Sequence, residues 1–420
     1  MSEKRLLILG SVEDFSRLTQ YAVERGIYTI VADAFPGEAK KYASKSYTID
    51  LQDTELIDQI IREEHVDHVL SSFSDNMFEM MVYASERNNL ECFCPAKTVR
   101  YLRDKILMKE MLDKLNINSA KGQMIDSVFI KEEDVKVPYP CVVKPLDGWG
   151  SKGMKIVHSF QELSNHLAKS MSFSTTGAHA MLEEINMGYE LNVMSWVKDG
   201  EVYLLEFGDR ETTGMTNDHL PHQSREIFPS FFYKELEGTV KSYLKKVADF
   251  CEIREGPLSM QFFYENGQIT VGEVAGRFFG LGQGIVPVIN GIDLNKLLVN
   301  MIYYPEENYE ILENENKALD HCSFALYLLP ERGIVKDLGN VMEFKNEHCD
   351  EFRVYVKPGN SATMEPWILR VYAHFNSREE ADAYTENIYN NLFIPGLDGK
   401  NLVMSNKLVS YDGQKWKETL

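Results

Sequence analysis

The chain has 420 residues, 44% of them hydrophobic, and at ~100–200 residues per domain it has room for two to four domains with real cores. Its 44 Lys and Arg against 64 Asp and Glu give a formal charge of −20, which argues against nucleic acid as a general partner, and no local basic patch offsets it. The N-terminus MSEKRLLILG is too short in apolar residues for a signal peptide, and no run approaches the ~18 that span a bilayer. A cytoplasmic protein with no membrane partner is expected.

The first hundred residues alternate strand and helix signals: RLLILG, then a helix with Phe15, Leu18 and Ala22 on one face, then the β-branched YTIVAD. Asp53 is placed to cap TELIDQIIREE, HVDHVLSS reads as a strand, and SDNMFEMMVYASERN as a helix opened by Ser74 and Asp75. This repetition predicts a parallel, Rossmann-like sheet over residues 1–97. The first loop, GSVEDF, lacks the further glycines a pyrophosphate needs, so the domain reads as a scaffold or substrate platform. Residues 98–115 read as one helical stretch.

The middle of the chain is β-rich. WVKDGEVYL and FFYENGQITV read as hairpins turning at Asp199-Gly200 and Asn266-Gly267. GIDLNKLLVNMIYY reads as a helix capped by Asp293, and the acidic PEENYEILENENK as a linker. A third unit over 319–420 mixes strands (SFALYLLP, FRVYVKPG, WILRVYAHF) with the helix SREEADAYTENIYNNL. The six cysteines are sparse, and no second Cys/His pair completes a metal site with Cys92 and Cys94, so reduced thiols are expected.

The chemistry centres on CVVKPLDGWGSKGMKIV. Gly148, Gly150 and Gly153 spell GxGxxG, but Met154 to Val157 alternate like a strand, so the loop reads as a flap between strands whose backbone N–H groups can close over phosphates. Lys144 precedes the flap, Lys152 lies in it and Lys105 stands on the helix upstream. Any one of these read alone is a solvated surface residue; each contact to a phosphate would contribute roughly 1.5–3 kcal/mol. Downstream, Gln261 and Glu273 lie on two strands joined by one tight turn, where side-chain oxygens can hold Mg²⁺. Arg277 follows, placed for phosphate or carboxylate.

In this order the features resemble the ATP-grasp superfamily over essentially the whole chain, and in particular its carboxylate–amine (L-amino-acid) ligases, with likeness also to carbamoyl phosphate synthetase and biotin carboxylase. The resemblance implies an α/β protein: a Rossmann-like domain (1–97), an ATP-grasp domain of two α+β subdomains (98–305, flap 147–153) and a small α+β C-terminal domain (319–420). Lys105 in RDKILMKEML and Lys144 in CVVKP match the two ATP lysines, and GWGSKG, with Gly148, Gly150, Ser151, Lys152 and Gly153, the phosphate flap. Glu183, Glu184 and Ile185 resemble the hinge that reads adenine, Glu190 the ribose carboxylate and His222 a nucleotide-site histidine. Gln261 and Glu273 match the metal pair, and Arg277 the arginine after it. Two departures stand out: Gln261 replaces the commoner Glu, as in carbamoyl phosphate synthetase, and Ala275 replaces an Asn ligand, which puts a second metal in doubt.

The resemblance implies ATP and Mg²⁺ (or Mn²⁺) as cofactors and an ADP-forming ligase that converts a carboxylate into an acyl phosphate for attack by an amine, with Lys144 and Arg277 as catalytic groups. Partners would be a small-molecule carboxylate and amine, with a homodimer as an open option. Arg210, in FGDRETTG, and Arg277 border the expected substrate pocket; for Arg210 a hairpin-end salt bridge is the competing reading. The alternatives are a bicarbonate-activating carboxylase or carbamoyl-phosphate-type enzyme, and a non-catalytic ATP-binding protein. Against the first, Ser224 stands where biotin carboxylase has a lysine, and there is no Met-Lys-Met biotinylation site.

Overall fold

A computed structural model describes residues 3–146, 153–174, 177, 179–186, 188–212, 223–315 and 319–404. The first hundred residues run β1 (Arg5–Leu9), α1 (Ser16–Glu24), β2 (Tyr28–Asp33), β3 (Lys45–Thr48), α2 (Thr54–Glu63), β4 (His68–Leu70) and α3 (Asp75–Arg87). The strands pair in parallel in the order β3-β2-β1-β4. Leu6 to Leu9 and Ile30 to Ala32 are fully buried, as parallel strands covered on both faces require. Asp53 caps α2 by accepting from the Leu56 amide at 3.0 Å, as its position predicts. β3 escaped the sequence reading because KSYT, at the sheet edge, has no apolar alternation.

The stretch 98–115 is not one helix. α4 (Ala96–Val99) ends in a short turn, and Asp104 then restarts the chain as the cap of α5 (Lys105–Lys114), accepting from the amides of Ile106 (2.8 Å) and Leu107 (3.1 Å). A strong N-cap inside an apolar period begins a new helix.

Next come β5 (Gly122–Ile125), β6 (Cys141–Pro145), β7 (Lys155–Val157), α6 (Phe160–Met171) and β8 (Ala180–Glu184), whose strands form a small antiparallel sheet in the order β5-β8-β6-β7. Leu163 and Leu167 of α6 close its core. The chain then builds a larger sheet from β9 (Tyr189–Lys198), β10 (Glu201–Thr212), β11 (Gln223–Phe228), α7 (Tyr233–Phe250), β12 (Glu255–Glu265) and β13 (Gln268–Ala275). Both expected turns are present, with positive φ at Asp199 and Gly200 and at Asn266 and Gly267. α8 (Gly282–Asn290) and α9 (Leu294–Tyr303) follow, α9 capped by Asp293.

The segment read as a linker contains a short helix, α10 (Glu307–Leu312). Its acids point outward while Asn308 is fully buried, donating to Leu297 O and to Glu255, both at 3.1 Å. A polar residue on the inward face hid the period.

β14 (Cys322–Leu328), β15 (Cys349–Val354), β16 (Leu369–Phe375) and α11 (Arg378–Asn391) complete the chain. The three strands extend the larger sheet, whose order is β13-β12-β9-β10-β11-β14-β16-β15, all antiparallel. One sheet therefore runs through the expected boundary between residues 305 and 319. On one face Arg225, fully buried, grips Glu211 (2.6 and 3.0 Å) and Asp382 of α11 (2.6 Å), while Arg378 reaches Asp209 at 2.7 Å. These pairs tie α11 to the sheet. The six cysteines are free thiols, and no single helix among the described residues is long and apolar enough to cross a membrane.

Candidate active site

The opposite face of the larger sheet holds Glu190, Arg210, Gln261 and Glu273 of the expected site residues. A regular two-residue hairpin turning at Asn266-Gly267 would set Gln261 opposite Gly272. A bulge between Gln261 and Phe262 shifts the register by one, so that Gln261 faces Glu273. Since side chains alternate with period two, this one-residue slip brings Glu273 to the face of Gln261. Gln261 also pairs in register with Asn192 of β9. Glu190, two residues before Asn192, accepts from Gln261 Nε2 and from Arg210 Nη1. Arg210 thus joins the expected ribose carboxylate to the rest of the row, with Gln223 accepting from its Nε at 3.3 Å. Glu273 makes no hydrogen bond or ion pair among the described residues, yet it lies close enough to Lys105 and Arg277 to act on both electrostatically.

The lysines approach from the smaller sheet and from α5. Lys105, the first residue of α5, donates to the carbonyl of Leu146 at 3.0 Å, at the root of the flap. Burial pushes its ammonium below the ordinary lysine pKa; Glu273 opposes that, and Lys144 and Arg103 add to it. Lys144, on β6, is ion-paired with Glu183 of β8. Lys109, one turn beyond Lys105, reaches the other oxygen of Glu183 at 2.6 Å. Burial alone would raise the Glu183 carboxyl, but its two lysines outweigh that and hold it below the usual range. Glu183 is also inside the sheet, paired in register with Gly122 and Val142, and the Glu184 amide donates to Lys121 O at 3.0 Å. Ile185 lies just beyond the strand, beside a cavity of about 280 Å³ lined also by Asn186 and Phe263.

Arg277 is held from the N-terminal domain. Asp75, the first residue of α3, accepts from its Nε at 2.7 Å and its Nη2 at 2.6 Å. Burial works to raise the Asp75 carboxyl; Arg277, with Arg103 and Lys105 behind it, keeps it depressed. A second cavity, of about 750 Å³, lies between α3, α5 and Leu146, and is lined by Arg87, Arg100 and Arg103.

Of the flap, Gly153 is described: its φ is +75°, and a Cβ there would lie 2.7 Å from the Phe173 ring. Gly148, Gly150, Ser151, Lys152 and His222 lie outside the described residues. The structure thus brings Lys105, Lys144, Glu190, Gln261, Glu273, Arg277 and Arg210 to one cleft, with Glu183 among the lysines. The site is of mixed sign, with every one of these cations except Lys105 on a carboxylate.

Sequence reasoning missed Asp75, Lys109, Asn192 and Glu226. Lys109 had a legible signal, four residues from Lys105 on one helix. Glu226 is fully buried and accepts from Asn192 and Gln223; burial pushes its carboxyl up to about 7, the amide donors and Arg210 opposing. Glu206 behind it is raised further by burial and by Glu226, and neither of its oxygens has a hydrogen-bond partner among the described residues.

A divalent ion fits this chemistry at Gln261 and Glu273: adjacent side-chain oxygens on one sheet face, one of them an unpaired carboxylate, suit a cation that takes few protein ligands beside phosphates. Ala275, buried against Ser259, offers no further oxygen, and among the described residues no three His, Cys, Asp or Glu side chains cluster as a metal site.

The comparisons agree with this geometry. An ATP-grasp domain model matches residues 137–284. The formate-dependent phosphoribosylglycinamide formyltransferase of Methanocaldococcus jannaschii is 24% identical over 279 residues, 65% of this chain and 69% of that protein. The L-amino acid ligase of Bacillus licheniformis superposes with a TM-score of 0.76 at 18% identity, over 93% of this chain and 98% of that one. Phosphoribosylglycinamide synthetase of Anaerococcus prevotii gives 0.69 at 18% identity, over 94% and 99%. Residues 137–284 thus form an ATP-grasp domain, and over nearly its whole length the chain shares the fold of the L-amino acid ligase.

Proposed function

We propose that this cleft activates a small carboxylate with ATP and passes the acyl group to an amine. A carboxylate oxygen of the first substrate bonds to the γ-phosphorus as the bond to the ADP oxygen breaks. The amine nitrogen then bonds to the acyl carbon, phosphate leaves with its oxygen, and the amine gives a proton to solvent.

In this reading Lys105 and Lys144 hold the nucleotide phosphates, Glu190 the ribose, and the backbone around Glu184 and Ile185 the base. The lowered pKa of Lys105 leaves its ammonium much to gain from a phosphate. Gln261 and Glu273 would hold Mg²⁺ or Mn²⁺, which when bound neutralises phosphate charge. Arg277 steadies the oxygens that gain charge in the two steps. Closure of 147–153 would shield the acyl phosphate from water. The reaction needs ATP and small-molecule carboxylates and amines together, and on that ground we assign the chain to the cytoplasm.

The observation that supports this most directly is the meeting of an unpaired Glu273 with Lys105 and Arg277 at the register shift that also presents Gln261. The test is ADP and phosphate release from MgATP across a matrix of amino acids, dipeptides and amines. Release that requires both a carboxylate and an amine is expected, and Glu273→Ala should abolish it in a chain that still folds. Near-normal turnover in that variant would overturn the assignment.

A further inference from the structure

Asp75 and Arg277 are 202 residues apart in sequence and belong to different domains, yet they share the most complete side-chain contact of the cleft. A guanidinium has five N–H donors. Nε and one proton of Nη2 go to the two oxygens of Asp75, and one proton of Nη1 goes to the Phe278 carbonyl at 3.2 Å. Among the described residues that leaves one donor on each terminal nitrogen, free to take an oxygen of a carboxylate or phosphate.

We propose that Asp75 is a positioning residue for the ligase reaction: it fixes the Arg277 guanidinium so that its remaining pair of donors faces the reacting carboxylate and phosphoryl oxygens. The inference rests on the ligase reading above and gives the N-terminal domain a part in the chemistry.

The surroundings fit such a role. Asp75 opens α3, where the helix N-terminus favours a carboxylate in its charged form. Arg103 is the other guanidinium within range, at 3.7 Å, and is itself held by Asn76 at 2.8 Å and Glu79 at 3.3 Å, so it does not compete for the grip. Arg277 has little freedom of its own, with its side chain 11% exposed and its charge beside Glu273. A guanidinium fixed before substrate arrives loses less entropy when it binds, and a misplacement of about 1 Å in such a group costs on the order of a hundredfold in rate.

The test uses the full chain in the mixture that gives the fastest ADP release. Asp75→Asn keeps the shape and removes the charge. It is expected to lower kcat at least tenfold, while KM for MgATP and the calorimetric Kd for MgADP stay within threefold. Combined with Arg277→Lys, it should slow the enzyme no more than twofold beyond Arg277→Lys alone, because the grip it removes is already gone. Asp75→Ser, which keeps a residue that starts helices well, is judged by the same criteria if the Asn variant does not fold. A folded variant with unchanged kcat would overturn the inference, as would equal slowing in both Arg277 backgrounds. If the unaltered chain releases no ADP in any mixture, the ligase reading falls and the inference falls with it; if it turns over and Asp75→Asn matches it, the inference falls alone.

Discussion

Glu226 offers a sharp test of the electrostatics, because its carboxyl is fully buried beside amide donors with no ion pair among the described residues. Burial raises its pKa from an ordinary 4.5 to about 7. A folded-state pKa above the unfolded one means that the native state binds the proton more tightly. The group therefore costs nothing below about pH 4.5, and its cost grows as pH rises toward 7 and then levels off. A shift of that size corresponds to about 3 kcal/mol at pH 8. Glu226→Gln removes the titration and keeps the shape. One of its atoms becomes an NH₂ group facing former donors, but Asn192 Oδ1 has no partner among the described residues, so turning the Asn192 amide supplies an acceptor. The expected result is that the variant melts at or slightly below the parent at pH 5 and clearly above it at pH 8. The assay is thermal unfolding of both chains in matched buffers from pH 5 to 8.5. A difference that stays constant with pH would refute the reasoning, since a mere packing change carries no proton.

Two further substitutions probe the cleft and the face of the larger sheet turned away from it. Lys105→Met keeps the aliphatic length and removes the ammonium that donates to Leu146 O; it should raise the Kd for MgATP roughly tenfold to a hundredfold, the worth of one charged phosphate contact, as read by calorimetry. Arg225→Met leaves buried Glu211 only its 3.3 Å contact with Arg378 among the described residues and should destabilise the chain by about 3 kcal/mol, seen as a lower melting temperature.

Much of the fold was legible because its signals are local. Two type I′ turns announced themselves through Asp199-Gly200 and Asn266-Gly267, and Asp53 and Asp293 marked helix starts by their side chains alone. The facing of Gln261 and Glu273 was legible for a subtler reason. Twelve residues separate Gln261 from Glu273 across a two-residue turn, a spacing that gives direct pairing only if one residue is bulged out, and Gly272 is the residue set beside the bulge. The partners of the cations were not legible. Nothing near Asp75 in sequence marks it as the residue that holds Arg277, and Glu226 among SREIF gives no sign that it is buried under amides. Long-range pairing, such as β11 with β14, is decided by packing and not by either strand's own pattern.

The two faces of the larger sheet divide the work, and the division explains why so many ionisable groups are buried in one layer. On one face, Arg225, Glu211, Asp382, Arg378 and Asp209 satisfy one another and tie down α11. Such pairing keeps buried charge from being ruinous. On the other face the pairing is incomplete. Among the described residues Glu273 has no hydrogen-bond or ion-pair partner, Glu206 has two bare oxygens, and Lys105, approaching this face from α5, is bonded to a single carbonyl. A core selected for stability alone would not leave such groups side by side, since each costs about 1–3 kcal/mol of desolvation. Those unmet donors and acceptors lie along one sheet face between Glu273 and Glu206, and that stretch is where a charged nucleotide and its metal would restore the balance.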